Sequence, residues 1–175
     1  MSAARDLPTA YAGSTDLKLE PLLRRAQIED ANFLLTVRNR PEMIALSSSQ
    51  QRIDPAEHQR WLRAVLQSQQ HLLLIIGGDS KAEAQGYARL DCLSADTAAI
   101  TVVLLPEWQG KGLGGQVIER ISQYGFATWP CLRHILAHIR LENLKSQNAF
   151  LRVGFRKADT RFQEAGHVVL MLTPT

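Results

Sequence analysis

The residues best suited to chemistry lie in one run, Pro106-Glu107-Trp108-Gln109-Gly110-Lys111-Gly112-Leu113-Gly114-Gly115. Its glycines leave backbone N–H groups unshielded, and a helix opening here adds first-turn N–H groups that lack intrahelical partners. Such groups, at the positive end of a helix dipole, cradle a pyrophosphate. The bland alternative is a flexible turn that holds nothing. There is no Gly-Lys-Ser/Thr ending, so this is not a Walker loop. Gly110, Gly112 and Gly115 fit G-x-G-x-x-G, but the loop interrupts a mainly hairpin-connected sheet and lacks the first βαβ unit of a dinucleotide site. His134 and His138 share a strand face without a third ligand at metal spacing. They read as structural histidines, with His138 the one expected to approach the site, and no metal is expected.

The elements that must position this loop follow from periodicity. The stretch 1–18 has none and reads as a loose tail, with the folded domain spanning 19–175. A strand is expected to end at Arg25. Ile28 to Arg38 carries helical spacing with Glu29 and Asp30 in its first turn, and Pro41 is expected to interrupt. Asp54-Pro55 caps a second helix whose face holds Trp61, Leu62, Val65 and Leu66. His71 to Ile76 is a strand closed by a Gly77-Gly78-Asp79 turn, and Gln85 to Cys92 and Ala98 to Leu105 are two more. A helix from Leu113 to Ala127 follows the glycines. Then come a strand, His134 to Ile139, with Ile135, Ala137 and Ile139 on one side, a short helix, Asn143 to Arg152, stopped by Gly154, and strands near Phe155 to Ala158 and His167 to Leu172. The order implies an α/β layer architecture.

Composition narrows the function classes. The chain has 175 residues, enough for one core of ordinary size, and its 45% hydrophobic and 21% charged residues are those of a globular protein. Twenty basic against 17 acidic residues give a formal charge of +3, which suits an anionic partner without the basic stripe of a nucleic-acid binder. No apolar run reaches membrane length and no signal segment opens the chain, so a cytoplasmic protein is expected. Cys92 and Cys131 cannot build a disulfide framework and are expected to be buried or inert.

Gln109-Gly110-Lys111-Gly112-Leu113-Gly114 resembles the Q/R-x-x-G-x-G/A acyl-CoA loop of the GNAT superfamily of N-acetyltransferases. Asn143-x-x-Ser146 followed by Gly154-Phe155 resembles a second pattern of that superfamily at the expected distance, and the element order is similar over about nine tenths of the chain. The resemblance implies a single-domain GNAT fold, a mixed, mostly antiparallel sheet of six or seven strands flanked by about four helices. It implies acetyl-CoA as co-substrate and no metal. The backbone of Val103, Leu104 and Leu105 would bond the pantetheine arm, and Gln109, Gly110, Lys111, Gly112, Leu113, Gly114 and Gly115 would hold the pyrophosphate. Asn143 and Ser146 would line the acetyl and thiol end. Transfer would be by direct attack of an amine on the thioester, with a strand N–H stabilising the developing oxyanion. Homodimers are common in the superfamily, though no exposed stripe demands one here.

Two departures stand out. Many members carry a tyrosine seven residues after the asparagine, as acid toward the thiolate; Phe150 stands there. Some carry a strand glutamate as base; Ala99 stands there. Ser146 is then the remaining candidate donor to the thiol. Thr101, on the face of Ala99, is a candidate to hold the water that takes the amine proton. Both also read as ordinary structural residues.

A narrower resemblance joins Val37-Arg38-Asn39, Pro41, Ser47, Ile53, Glu57-His58, Trp61 and Gly86-Tyr87-Ala88-Arg89-Leu90-Asp91 to a branch that acetylates nucleotide-linked 4-amino sugars in pseudaminic-acid-type synthesis. Ribosomal-protein N-terminal acetyltransferases are its neighbours. By it, Arg38, Asn39, His58 and Arg89 would bind a sugar nucleotide, the arginines meeting its diphosphate. The same residues also read as a helix end, a solvated face beside Trp61 and a plain Arg89–Asp91 ion pair. The expected activity is acetyl transfer to a small-molecule amine, the 4-amino group of a UDP-linked sugar. The alternatives are a protein N-terminus as acceptor, or a silent acyl-CoA sensor.

Overall fold

The computed structural model describes residues 23–46, 51–78 and 83–174. The expected tail, the start of the first strand, Ser47 and Asp79 lie outside the described residues. Strands β1 (Leu23–Arg25), β2 (His71–Gly77), β3 (Ala84–Cys92), β4 (Thr97–Leu104), β5 (His134–Arg140), β6 (Arg156–Lys157) and β7 (His167–Leu172) form one sheet in the order β1-β2-β3-β4-β5-β7-β6. Every pairing is antiparallel except β4 with β5. With helices α1 (Ala31–Arg38), α2 (Pro41–Leu46), α3 (Pro55–Gln67), α4 (Leu113–Thr128) and α5 (Leu144–Arg152), this is the expected GNAT fold with one helix more than the sequence implied.

The extra helix is α2. Pro41 starts it instead of merely ending α1, because a proline at the first helical position has no N–H to lose. The first turn before α1 is 3-10 in form. Asp30 does not cap α1 with its side chain: it is 2% exposed, takes both terminal guanidinium nitrogens of Arg24 at 2.8 Å and accepts from the Gln27 N–H as part of a capping box on that 3-10 turn. At α3, Asp54 accepts from the N–H groups of Ala56 and Glu57, with Pro55 behind it, as its sequence predicts.

The sheet separates its side chains by parity. On one face Leu72, Leu74, Ala88, Leu90, Ala98, Ile100, Ile135, Ala137 and Ile139 pack with α4, α5 and Phe155. Gly125 lets α4 sit this close, since a Cβ there would lie 2.4 Å from the Leu90 side chain. The opposite face carries two separate clusters. Leu34, Val37, Leu62 and Val65 of α1 and α3 cover Leu73, Ile75 and Tyr87, while Leu136 and Val169 pack with Ala158 and Phe162. Ala99, Thr101 and His138 belong to neither cluster. Cys92 is half-buried and Cys131 is exposed.

Candidate active site

The site begins with an interrupted strand pair. β4 and β5 match at Thr97–His134, Ala98–Ile135 and Ala99–Leu136 and at no later residue. Beyond that point β4 follows β3 and β5 follows β7. Antiparallel pairing alternates which residues bond across it. The bonds Leu93 N–H to Thr97 O and Leu105 N–H to Gln85 O, both 2.8 Å, bracket the β3–β4 ladder. Odd-numbered β4 residues therefore spend their backbone groups on β3, and Ile100, Val102 and Leu104 turn theirs to the opening. On the far bank, the Leu141 N–H to Gly166 O bond leaves the backbone groups of His138 facing the same opening, while the Arg140 carbonyl already accepts from the Asn143 N–H at 3.0 Å and from Gln147 Nε2 at 3.2 Å. An unfinished ladder on both banks fits an extended, amide-bearing chain such as a pantetheine arm. Of the three residues expected along it, Leu104 faces the opening, and its carbonyl accepts from Gln109 Nε2 at 3.0 Å. Val103 and Leu105 turn to β3 instead, with side chains in the core beneath α1 and α3. Val102, which the resemblance did not assign, takes their place.

The opening widens into a cavity of about 490 Å³ between the β4 end, the α4 start and α5. Gly110, Gly112, Gly114, Gly115, Gln109, Asn143 and Ser146 all line it. Gly110 (φ +77°) and Gly112 (φ +79°) adopt the left-handed conformation that leads into α4, and a Cβ on either would meet nothing within 4 Å. Glycine is needed there for backbone shape. The space above it stays open to a ligand, and this α4 N-terminus points its unpaired N–H groups into that space. Lys111 turns away, its ammonium 4.7 Å from the Trp108 ring centre, and Leu113 packs against the core. Asn143 caps α5 by accepting from the Ser146 N–H at 3.1 Å, so capping places Ser146 on the cavity wall. Phe150 lines the same wall, edge-on to Phe155 at 4.9 Å. Two cations were missed by the sequence reading, Lys145 and Arg152. Their spacing of two helical turns, which puts both on the cavity side of α5, was the available signal.

The other face of the sheet carries different chemistry. The Arg38 guanidinium carbon lies over Trp61 at 4.2 Å from the ring centre, and that of Arg89 approaches the same ring at 5.7 Å. Behind them His58 is 1% exposed, its Nδ1 3.4 Å from Arg38 Nη1 and its ring 5.4 Å from Trp61. Burial first, and the neighbouring guanidinium second, push the His58 pKa below its ordinary value, so it stays neutral. The sequence placed His58 on substrate; here its side chain is buried against Arg38 and Trp61. Asn39 is likewise occupied: its side chain bonds the Ile53 N–H at 2.7 Å and the Ile53 carbonyl at 3.0 Å, clipping the approach to α3 onto the end of α1. Arg89 forms the expected pair with Asp91 at 2.8 Å, but Asp91 also takes His71 at 2.7 Å. Burial lowers the pKa of Arg38; next in size Tyr87 raises it, then the nearby Arg89 charge lowers it, and Glu57 raises it least. Thr101 sits across the strand pair from Arg89. Among the described residues no cluster could hold a metal ion, and no helix is long and apolar enough to cross a membrane.

Residues 22–156 match the protein family described as an acetyltransferase (GNAT) domain. Among solved structures, a spermidine N-acetyltransferase from Vibrio cholerae in complex with CoA and spermine is similar at 19% identity and TM-score 0.70, covering 87% of this chain and 93% of its own. The aminoglycoside acetyltransferase AAC(6')-Ib with ribostamycin and coenzyme A is similar at 20% identity and TM-score 0.72, over 88% and 93%. The Salmonella typhimurium protein yncA with acetyl-CoA is similar at 17% and 0.70, over 87% and 93%. At such identities the likeness is one of fold. No curated protein sequence matches the chain. The family match spans most of the chain, and it falls on a sheet split and glycine loop shaped for an acyl-CoA, so the protein belongs to the GNAT family of acetyl-CoA-dependent N-acetyltransferases.

Proposed function

We propose that the enzyme acetylates the primary amine of a negatively charged small molecule, the 4-amino group of a UDP-linked amino-deoxy sugar. One observation carries this reading: Arg38 and Arg89 converge on a single Trp61 ring beside the split. Two guanidiniums held this close repel each other, and a bound diphosphate removes that cost while accepting forked hydrogen bonds. Asp91 balances one charge of the two, that of Arg89, and its other oxygen is held by His71. The proteins similar in fold that are bound to spermine or ribostamycin hold cationic amines; the charge on this face favours the opposite kind of acceptor.

Acetyl-CoA supplies an activated thioester. The chain's own part is to hold it along Val102 and Leu104, to seat its diphosphate on the glycine loop with Lys145 and Arg152 nearby, and to offer Ser146 to the leaving sulfur. Phe150 has no proton to give, which leaves Ser146 as the hydroxyl on that wall. Thr101, on the acceptor side, holds a water next to the amine.

The test is release of CoA thiol across UDP-linked 4-amino-6-deoxy sugars, short peptides of varied N-terminus and an aminoglycoside. Turnover confined to the sugar nucleotides, with Arg38→Ala raising their KM about tenfold and leaving acetyl-CoA affinity unchanged, supports the reading. Turnover on peptides alone would replace it with protein acetylation.

A further inference from the structure

The apolar residue at position 99 leaves the acceptor amine without a strand carboxylate as its base. A primary amine arrives largely protonated at neutral pH, and only its free form attacks, so some group must take the proton. We propose that His138, oriented by Glu164, is that base. This rests on the acetyl-transfer reading above and names the group that makes it work.

The placement follows from register. The last residues paired across β4 and β5 are Ala99 and Leu136. Two residues further on, at the mouth of the split, stand Thr101 on one bank and His138 on the other. Strand parity puts both side chains on the face of Leu136, opposite Ile135 and Ala137, which lie in the α4 core. That is the face that carries Arg38 and Arg89. An amine reaching the thioester from this side passes between Thr101 and His138.

The orientation follows from a hydrogen bond. His138 Nδ1 lies 2.7 Å from Glu164 Oε2, and the other carboxylate oxygen is 3.7 Å from His167 Nδ1. A proton on Nδ1 donated to the carboxylate leaves the Nε2 lone pair outward and able to accept. Glu164 then also balances the imidazolium that forms. His134, on the same strand face, is built differently: its Nδ1 is buried without a partner and its ring packs on Phe162 at 5.9 Å. The two histidines thus divide into a packed one and a presented one.

In the step, the ammonium gives one proton to His138 Nε2, directly or through a water at Thr101. The freed nitrogen lone pair forms the C–N bond as the C–S bond breaks. The second proton passes from that nitrogen to the thiolate, and His138 returns its proton to solvent. Products are the amide and free CoA thiol.

His138→Gln keeps a polar side chain but cannot take a proton. It is expected to lower kcat about 100-fold on a basic amine, with acetyl-CoA affinity unchanged as the check on folding. On an acceptor analogue whose amine is already unprotonated at the assay pH, the loss should shrink to a few-fold. Equal losses on the two amines, or no loss, would overturn the proposal. A second readout needs no turnover: nitrogen chemical shifts of the neutral imidazole should show the Nδ1–H tautomer in the wild type and its loss in Glu164→Gln. An Nε2–H tautomer in the wild type would equally overturn it. Misassignment of the acceptor would appear separately, as a different amine reacting in the panel, and the dependence on amine basicity can be read on whichever amine reacts.

Discussion

On the α4–α5 side of the split, the groups proposed to bind are main-chain ones: the N–H groups of the glycine loop and the open edges of Val102 and Leu104. On the other side the proposed groups are side chains drawn from separate elements, Arg38 from α1, Arg89 from β3 and His138 from β5, with His58 and Trp61 of α3 packed against Arg38. A main-chain site depends on backbone shape, so it tolerates changes of side chain but fails when a glycine is lost. A side-chain site depends on the packing that aims each group, so each residue can be changed alone and the acceptor can differ while the fold persists. The family's shared co-substrate and differing acceptors fit this division.

That contrast can be broken at several points. The largest effect should come from Gly86, where β3 meets β4 and both sides share a strand. A Cβ there would lie 2.0 Å from the Val103 carbonyl oxygen. Gly86→Val should cost roughly 2–3 kcal/mol or more of stability in urea unfolding, because a core strand must move. It should also weaken both sides together. Gly112→Val should separate them. Leaving the left-handed region moves the loop, and a penalty of about 1–2 kcal/mol should appear as a roughly tenfold weaker acetyl-CoA affinity by calorimetry, with the unfolding midpoint nearly unchanged. Ser146→Ala sharpens the division within the cleft itself. Turnover should fall several-fold while acetyl-CoA affinity holds, and an equal loss in both would make Ser146 a cofactor-positioning residue only.

The smallest effect tests the acceptor side alone. His58 has a folded pKa below its ordinary 6.5, so the unfolded chain takes up its proton first as the pH falls. Its contribution to stability is complete above about 6.5 and declines on acidification below that value. Wild type should therefore lose more melting temperature than His58→Gln between pH 7.5 and pH 5.5. Parallel curves would mean that His58 is protonated in the folded state.

The sequence made the first side legible and the second only partly so, for a physical reason. A glycine loop, an Asp54-Pro55 cap and an Asn143 cap are local devices, encoded within a few residues and independent of the rest of the fold. The seven strands and their parity follow equally from short-range alternation. The acceptor side depends on encounters between distant residues. Nothing near Asn39 announces that Ile53 will occupy it, and nothing near His58 announces that α1 will bury it. His138 and Glu164, 26 residues apart, meet only because β7 returns alongside β5. Periodicity put His138 on the right face, but could not say that a carboxylate would orient it. Val102 was missed for a subtler reason: which residues of a strand turn their backbone groups to the open side depends on register with β3, which no residue type reveals.

The three matched pairs between β4 and β5 also have a mechanical meaning. They join two leaves, β1 to β4 and β5 to β7, along a seam only a few residues long, with α4 and α5 crossing above it. A seam that short resists sliding poorly. A pantetheine arm bound along the rest of it, as proposed, would act as a weld, taking up main-chain edges that the leaves do not pair with each other. The loaded enzyme should be stiffer than the empty one along this line, with slower amide exchange at Val102 and Leu104. The acceptor would then meet a firm floor only after its reaction partner is in place.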